Sequence, residues 1–463
     1  MQESRLDEQQ FGIRQKWSFG LGSFAQWFMN GAFTTWVFSF YFSAIKLPVY
    51  YISLAYVIWT IWNAFNDPLI GFISDRTKTR WGRRKPFIMA GTIPVLVIEI
   101  LLWVPPGGDF ANFVYLLVML LCYDLFYTMI ALPYDTLFPE LYTSVKERAQ
   151  VNMIKQVLAT VGLLVAFLLP GFFIGDITNS SGGYLLNGIV TSLIVGVALI
   201  ISLKWGVLER AEFKLDYKQE FGFFQSLKYT LKNKGFVLYT AMFFLYEYVL
   251  LVLSTTVPVY CKHVLGMDST FMASIMIGLM FIVGILTVVI WRKLDVTIGS
   301  RKAYGISIIA YFVASIPLLF ISEYAEAVVA VAIMGFGFGG MLYFIYLLIA
   351  DVIDEDELKT GVRREGAFFG VTDFFMRLSM VLTILTVSLV FVSTGWETYD
   401  PTPGPYTILG LRALIVVFPG IALGISGLCL YFYPFSKEKV ASIKEQLKEL
   451  HEKKLAKVKS EGL

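Results

Sequence analysis

The sequence predicts an all-α membrane protein, with twelve transmembrane helices in two pseudo-symmetric six-helix bundles. Three observations predict it. Of 463 residues, 57% are hydrophobic and only 16% charged, with a mean hydropathy of +0.66; soluble domains hold about 45–50% apolar residues. The apolar residues gather in runs of about 20, the length a helix needs to cross a core about 30 Å thick. The sign of the charge also alternates from one connecting loop to the next.

The spans follow in order near 17–44, 50–75, 86–104, 113–138, 150–174, 184–205, 236–261, 268–291, 303–321, 325–350, 367–393 and 408–433. They are too long and too uniformly apolar for barrel strands, and only helices or closed barrels satisfy the backbone in lipid. After span two come Arg76, Lys78, Arg80, Arg83, Arg84 and Lys85. Lys146 and Arg148 follow span four, and Arg210, Lys214, Lys218, Lys228, Lys232 and Lys234 follow span six. Arg292, Lys293, Arg301 and Lys302 follow span eight, then Lys359, Arg363 and Arg364 follow span ten. Odd loops carry little that is basic, and several acids such as Asp109, Asp176 and Glu323. The positive-inside rule then puts the even loops and both termini in the cytoplasm of a multi-pass cell-membrane protein.

Residues 206–235 form the longest charged linker, between an N-terminal bundle (1–205) and a C-terminal bundle (236–434). Phe221, Phe224, Leu227 and Leu231 give part of that linker an amphipathic, interfacial pattern. Each half has a basic turn between its second and third spans, at 75–85 and 294–302. Two halves with echoing loops suggest an internally repeated transporter of the major facilitator type. The tail 435–463 reads as a cytoplasmic helix with an apolar stripe of Ile443, Leu447 and Leu450. Solvation is the reading expected of it, with a lipid or partner as the alternative occupant.

Other features narrow the classes. Cys122, Cys261 and Cys429 lie in apolar segments and suit neither a disulfide framework nor a metal site. No cleavable signal is visible, because residues 1–16 are polar and the first apolar run is too long. Asn179-Ser-Ser is a glycosylation sequon on an outer loop. The run Gly335-Phe-Gly-Phe-Gly-Gly follows no strand, so close helix packing or a hinge is expected there, not a phosphate loop. No nucleophile–base pair or metal-ligand spacing appears, so neither an enzyme, a metal nor a nucleic-acid partner is expected.

Function is carried by polar groups inside the spans, where a charge costs at least about 2.5–3.5 kcal/mol and marks a pathway or coupling site. In span two, Trp59, Asn63 and Asp67 fall at i, i+4 and i+8 on one face. Pro68 cannot donate its backbone bond, which frees a carbonyl beside that carboxylate. In span four, Asp124, Tyr127, Thr128 and Ala131 share a face, with Asp135 nearer the cytoplasmic end as a gate or cap. Lys155, one turn into span five, either snorkels or pairs with an acid such as Asp67 or Asp124. Asp373 and Arg377 stand i,i+4 in span eleven, the favourable order for a pair, and face a central substrate position. Aromatic content of 16%, with Trp59 and Tyr127 inside spans, suits a sugar's apolar faces.

These residues resemble the glycoside–pentoside–hexuronide:cation symporter family, the melibiose-permease group of the major facilitator superfamily. The similarity covers about 17–434. It rests on Trp62-Asn-Ala-Phe-Asn-Asp-Pro-Leu-Ile-Gly with Asp75-Arg76 and Gly82-Arg-Arg-Lys-Pro86, on Tyr127-Thr with Leu132-Pro-Tyr134, on Glu147-Arg148, and on Asp354-Glu-Asp-Glu-Leu-Lys-Thr-Gly-Val-Arg-Arg-Glu-Gly366. The resemblance implies twelve helices around a midplane cavity with alternating access. Of the family's three sodium-binding acids, only Asp67 matches; the others fall on Asn63 and Ala131. A lone acid in low dielectric suits a proton better than sodium, and Asp124 is a candidate relocated acid. The family's sugar-binding acid in helix one matches Ser23, its helix-five arginine Lys155 and its helix-eleven lysine Arg377.

The expected function is therefore symport of a sugar or glycoside, including an anionic uronide, by a monomer in the bilayer. Asp67, Asn63, Asp124 and Thr128 would couple it to protons. Ser23, Trp59, Tyr127, Lys155, Asp373 and Arg377 would bind substrate. Asp75, Arg76, Arg83, Arg84, Asp354, Arg363 and Glu365 would form the cytoplasmic gate. A lysolipid carrier on the same fold, and a non-transporting sensor or scaffold, are the rival readings.

Overall fold

In an apolar run the backbone has no water to bond, so each span must close its hydrogen bonds within itself. The computed structural model shows this for residues 11–77, 79, 81–142, 145–178, 181–208, 230–360 and 365–461, the residues it describes. Among them the chain is helical, with no strand. The helices are α1 (Ile13–Ser39), α2 (Val49–Arg76), α3 (Lys85–Leu101), α4 (Asp109–Leu141), α5 (Val145–Leu168) and α6 (Ser181–Ile201). They continue as α7 (Lys234–His263), α8 (Thr270–Ile298), α9 (Ser300–Ser315), α10 (Tyr324–Thr360), α11 (Glu365–Ser393) and α12 (Pro405–Phe432). A tail helix, α13 (Lys437–Glu461), follows.

All twelve expected spans are present, the last broken at Val416. By length and composition, nine of the helices among the described residues can cross a membrane. α3 falls short at 17 residues, while α1 carries Gln26 and Asn30, and α2 carries Trp59, Asn63, Asn66 and Asp67, which lower their apolarity. The polar groups that weaken α2 as a membrane segment are those that give it chemistry.

The chain divides into two compact units. One comprises Met1–Gln219 with Asp268–Ser274 and Glu397–Pro401; the other comprises Glu220–Met267, Ile275–Trp396 and Thr402–Leu463. Within the first, α1 packs along α5, and α2 and α3 pack on α4. Small residues let these helices approach, as lipid-facing helices require: a methyl group at Gly162 would strike the Phe24 carbonyl. At one end of this pair, Lys16 Nζ lies 3.2 Å from Glu147 Oε1, with side chains 10% and 6% exposed. Glu147 also accepts the Phe11 amide at 2.9 Å, and Lys16 donates to Gln150 Oε1 at 2.9 Å. Removing one member of such a buried pair strands the other charge. Glu147→Ala is expected to cost about 3 kcal/mol, read as a lowered melting temperature in detergent, whereas a surface acid such as Glu326 changed to Ala leaves melting unmoved.

In the second unit α7 packs on α11 and α12, and α9 on α10. The glycine run of α10 packs closely as expected. A Cβ at Gly335 would stand 2.7 Å from the Met280 carbonyl and one at Gly339 would meet the Gly284 carbonyl, both on α8, while Gly337 abuts the Tyr311 backbone of α9. The tail departs from the solvated reading. Ile443 and Leu447 are buried and α13 packs on α10. Lys439 Nζ lies 2.6 Å from Glu355 Oε1, and Lys437 Nζ donates to the carbonyls of Val296 and Thr297 at 2.9 and 3.0 Å. The open carbonyls at the end of α8 and the acidic end of α10 draw the lysines, and the apolar stripe follows them down. The linker residues Phe221, Phe224 and Leu227 and the sequon residues Asn179 and Ser180 lie outside the described residues.

Candidate functional site

α2 and α4 place the coupling candidates side by side, in parallel register. Asn63 Nδ2 donates to Asp124 Oδ1. One turn further, Thr128 Oγ donates to Asp67 Oδ1 at 2.9 Å. Each helix contributes residues at i and i+4, so the two pairs form successive rungs of one ladder. Asn66 adds a third rung, its Nδ2 donating to Asp124 Oδ2 at 2.9 Å. Asn63, Asn66, Asp124 and Thr128 are all buried, while Asp67 is half-buried. The face read from Trp59, Asn63 and Asp67 is thus the face that meets α4. Asn66 was not singled out in the sequence, although its i+3 spacing from Asn63 placed it within reach.

The Asp124 carboxyl is held at both of its oxygens. Both Asp124 oxygens accept amide N–H bonds, the arrangement that fixes a carboxylate rigidly. With both amide nitrogens committed to Asp124, the Oδ1 atoms of Asn63 and Asn66 have no hydrogen-bond partner among the described residues. Buried acceptors left open cost about 1–3 kcal/mol each, so these two oxygens are set up to receive a donor or a cation. Two carboxyl groups and two open amide oxygens make a hard, all-oxygen donor set.

Aromatic rings flank the ladder. Phe33 stacks on Tyr123 at 4.5 Å between centroids, and Tyr123 stacks on Tyr127 at 5.9 Å. Trp59 packs against Phe33 at 5.5 Å and edge-on to Tyr56 at 5.6 Å. Trp59 and Tyr127, the two expected substrate rings, are half-exposed, and Phe33 and Tyr123 behind them are buried. Phe33 carried no sequence signal, because one phenylalanine among 40 looks like lipid-facing bulk.

The remaining candidates lie apart. Lys155 pairs with Asp135 at 3.0 Å, not with Asp67 or Asp124, and its ammonium stands over the Phe138 and Tyr134 rings at 4.6 and 5.3 Å. The acid read as a gate or cap is thus the one Lys155 reaches. Ser23 is buried with its Oγ 3.4 Å from the Tyr134 hydroxyl. Arg377 is half-buried thirteen residues along α11; the Asp373 side chain lies outside those described. Of the gate residues, Arg84 is buried and Arg83 and Asp354 are half-buried. The side chains of Asp75, Arg76 and Glu365, and all of Arg363, lie outside the described set.

An all-helical fold of membrane-length helices with a buried carboxyl ladder is the architecture of a secondary transporter. The family model described as MFS/sugar transport protein matches residues 18–437, and the chain belongs to that family. It is 25% identical to an isoprimeverose transporter of Lactiplantibacillus pentosus, covering 91% of this chain and 89% of the relative. It is 23% identical to the sodium-dependent lysophosphatidylcholine symporter 1 of Xenopus tropicalis, covering 97% and 92%. The fold matches the crystal structure of the nucleoside transporter NupG with a TM-score of 0.67 at 14% identity, over 91% of this chain and all of that one. The protein is a multi-pass symporter of small molecules on the major facilitator fold.

Proposed function

We propose that the chain is an inward, proton-coupled symporter of a sugar or glycoside, working by alternating access as a monomer in the cell membrane with both termini cytoplasmic. The α2–α4 ladder carries the reading. Asp67 is the carboxyl that trades its cation with water, since it is half-buried where Asp124 is fully buried, and it accepts the Thr128 hydroxyl. Asp124 is the fixed charge that keeps Asn63 and Asn66 oriented with their oxygens free. Trp59 and Tyr127 supply flat apolar surface for a pyranose ring, and the charge of Arg377 favours a uronide or another anionic glycoside.

The family description and the isoprimeverose relative support a sugar. The lysophosphatidylcholine relative supports a second reading, an amphiphile carried on the same fold, and its sodium dependence makes sodium the rival ion. Uptake in proteoliposomes separates these readings. Radiolabelled glycosides and a lysolipid are offered under an imposed pH gradient and, separately, an imposed sodium gradient. The proposal expects a glycoside to accumulate only with the pH gradient inward. Accumulation of the lysolipid alone, or of any substrate under sodium alone, overturns it.

A further inference from the structure

A second polar cluster lies in the first unit, away from the ladder. Glu99, on α3 two residues before its end, is 1% exposed, and neither carboxyl oxygen has a hydrogen-bond partner among the described residues. On α6, which packs on both α3 and α1, Asn187 and Thr191 are fully buried, with the amide nitrogen, the amide oxygen and the hydroxyl all without partners among the described residues. Thr35 Oγ on α1 and Trp103 Nε1 beyond α3 are likewise buried and unpartnered.

The packing puts these groups at one depth. A Cβ at Gly188 would lie 3.0 Å from the Glu99 carbonyl and 2.5 Å from Trp103 Nε1, so α6 crosses α3 at that level. Ser192 Oγ donates to the Leu96 carbonyl at 3.0 Å, which fixes the register one turn further along. Asn187 adjoins Gly188, and Thr191 follows it by one turn on the same face. α1 enters from the other side. Phe40, just past its end, packs on Tyr184 at 4.8 Å and on Trp103 at 5.2 Å, and those two rings stack at 5.5 Å. Three mutually packed rings therefore close one end of the cluster, with Thr35 a little over one turn from Phe40.

An ionised carboxylate in such a place needs a counter-charge. The titratable groups that face it from the packed helices are tyrosines: Tyr41 beyond α1, Tyr123 of α4, within electrostatic reach of Glu99, and Tyr184 of α6. The nearest acid on α4, Asp124, is turned toward Asn63 and Asn66 of α2. Among the described residues no cationic side chain bonds Glu99. We propose that Glu99, with Asn187 and Thr191, is a second cation site in this unit, taking one small hard cation: a proton on the carboxyl, or a dehydrated sodium ion held by the surrounding oxygens. A proton neutralises the buried carboxyl and makes it a donor toward the Thr191 and Asn187 oxygens. Sodium instead draws on the two carboxylate oxygens, Asn187 Oδ1, Thr191 Oγ and Thr35 Oγ. The site stands independently of the coupling role given to Asp67.

The test uses the full chain in lipid nanodiscs at neutral pH. Infrared difference spectra in light and heavy water read the carbonyl stretch of a protonated carboxylic acid, and dialysis against radioactive sodium reads bound sodium. Glu99→Gln, neutral and near in shape, is expected to remove either that exchangeable band or one equivalent of bound sodium, while Asp67→Asn keeps the same signal. Thr191→Val leaves the carboxyl in place and is expected to shift the band or weaken the sodium binding. A Glu99→Gln protein that matches wild type in both measurements overturns the proposal, as does a signal that Thr191→Val leaves untouched.

Discussion

Asp67→Asn is expected to abolish uphill accumulation of substrate while leaving exchange across the membrane intact. The substitution is nearly isosteric, and the new amide oxygen still accepts the Thr128 hydroxyl that now bonds Asp67 Oδ1. What it removes is the negative charge, and with it the reason for a cation to bind. One elementary charge moved through 100 mV is worth about 2.3 kcal/mol, enough to hold roughly a fifty-fold concentration ratio at about 1.4 kcal/mol per tenfold. Without that charge the ratio falls to about one, because substrate alone carries no driving force. Counterflow needs only binding and reorientation, so it persists. The measurement is paired uptake and counterflow in proteoliposomes with the pH gradient imposed; uphill uptake at wild-type level would take the coupling role from Asp67. The corresponding change at Asp124 has a different signature. Its two oxygens accept N–H bonds from Asn63 and Asn66, and an amide there sets one N–H against another. Asp124→Asn therefore costs stability, about 1–3 kcal/mol for a buried donor left unmade, as well as flux.

How far this could be read in the sequence depends on which physics fixed each feature. The spans were legible because lipid imposes one length and one composition on every crossing helix. Faces within a helix were legible too: 100° per residue put Asn63 with Asp67 and Asp124 with Thr128 before any coordinates. The register between helices was not. Whether residue 63 meets 124 or some other rung is decided by how α2, α3 and α4 pack, and no local pattern encodes it. Asn66 joined the site through that register alone. Lys155 shows the same limit for charge. On the sequence its ammonium answers Asp67 or Asp124 or snorkels, and instead Asp135 holds it at 3.0 Å, with the Phe138 and Tyr134 rings beneath the ammonium. The tail's apolar stripe is visible in the sequence, but its burial partner is not, so a solvated helix is the reading expected of it. The stripe became buried once lysines 437 and 439 found the open carbonyls and acids at the ends of α8 and α10.

Gly339→Val is the substitution expected to damage the fold most. Between lipid-immersed helices no hydrophobic force restores a lost contact, so association rests on how closely the backbones approach. At Gly339 the approach is to a carbonyl: a Cβ would meet Gly284 O on α8, and Thr287 Oγ would stand 2.6 Å away. Neither can retreat cheaply. Gly284 O is part of the α8 backbone and already accepts the Thr287 hydroxyl at 2.9 Å. A flexible side chain could rotate aside, but a helix carbonyl moves only with its helix, so α8 and α10 must separate and open the contacts at Gly335 as well. Overpacking of this kind costs about 1–3 kcal/mol in soluble cores, and the rigid neighbour puts Gly339→Val at or above the upper end. Gly427 supplies the control. Nothing lies within 4 Å of a Cβ there, so Gly427→Ala on α12 keeps stability within about 0.5 kcal/mol. Melting temperature and the monodisperse fraction in detergent read both variants. Equal melting of the two would mean that the glycine run of α10 sets no helix separation, and that α8 and α10 are held by something other than backbone proximity.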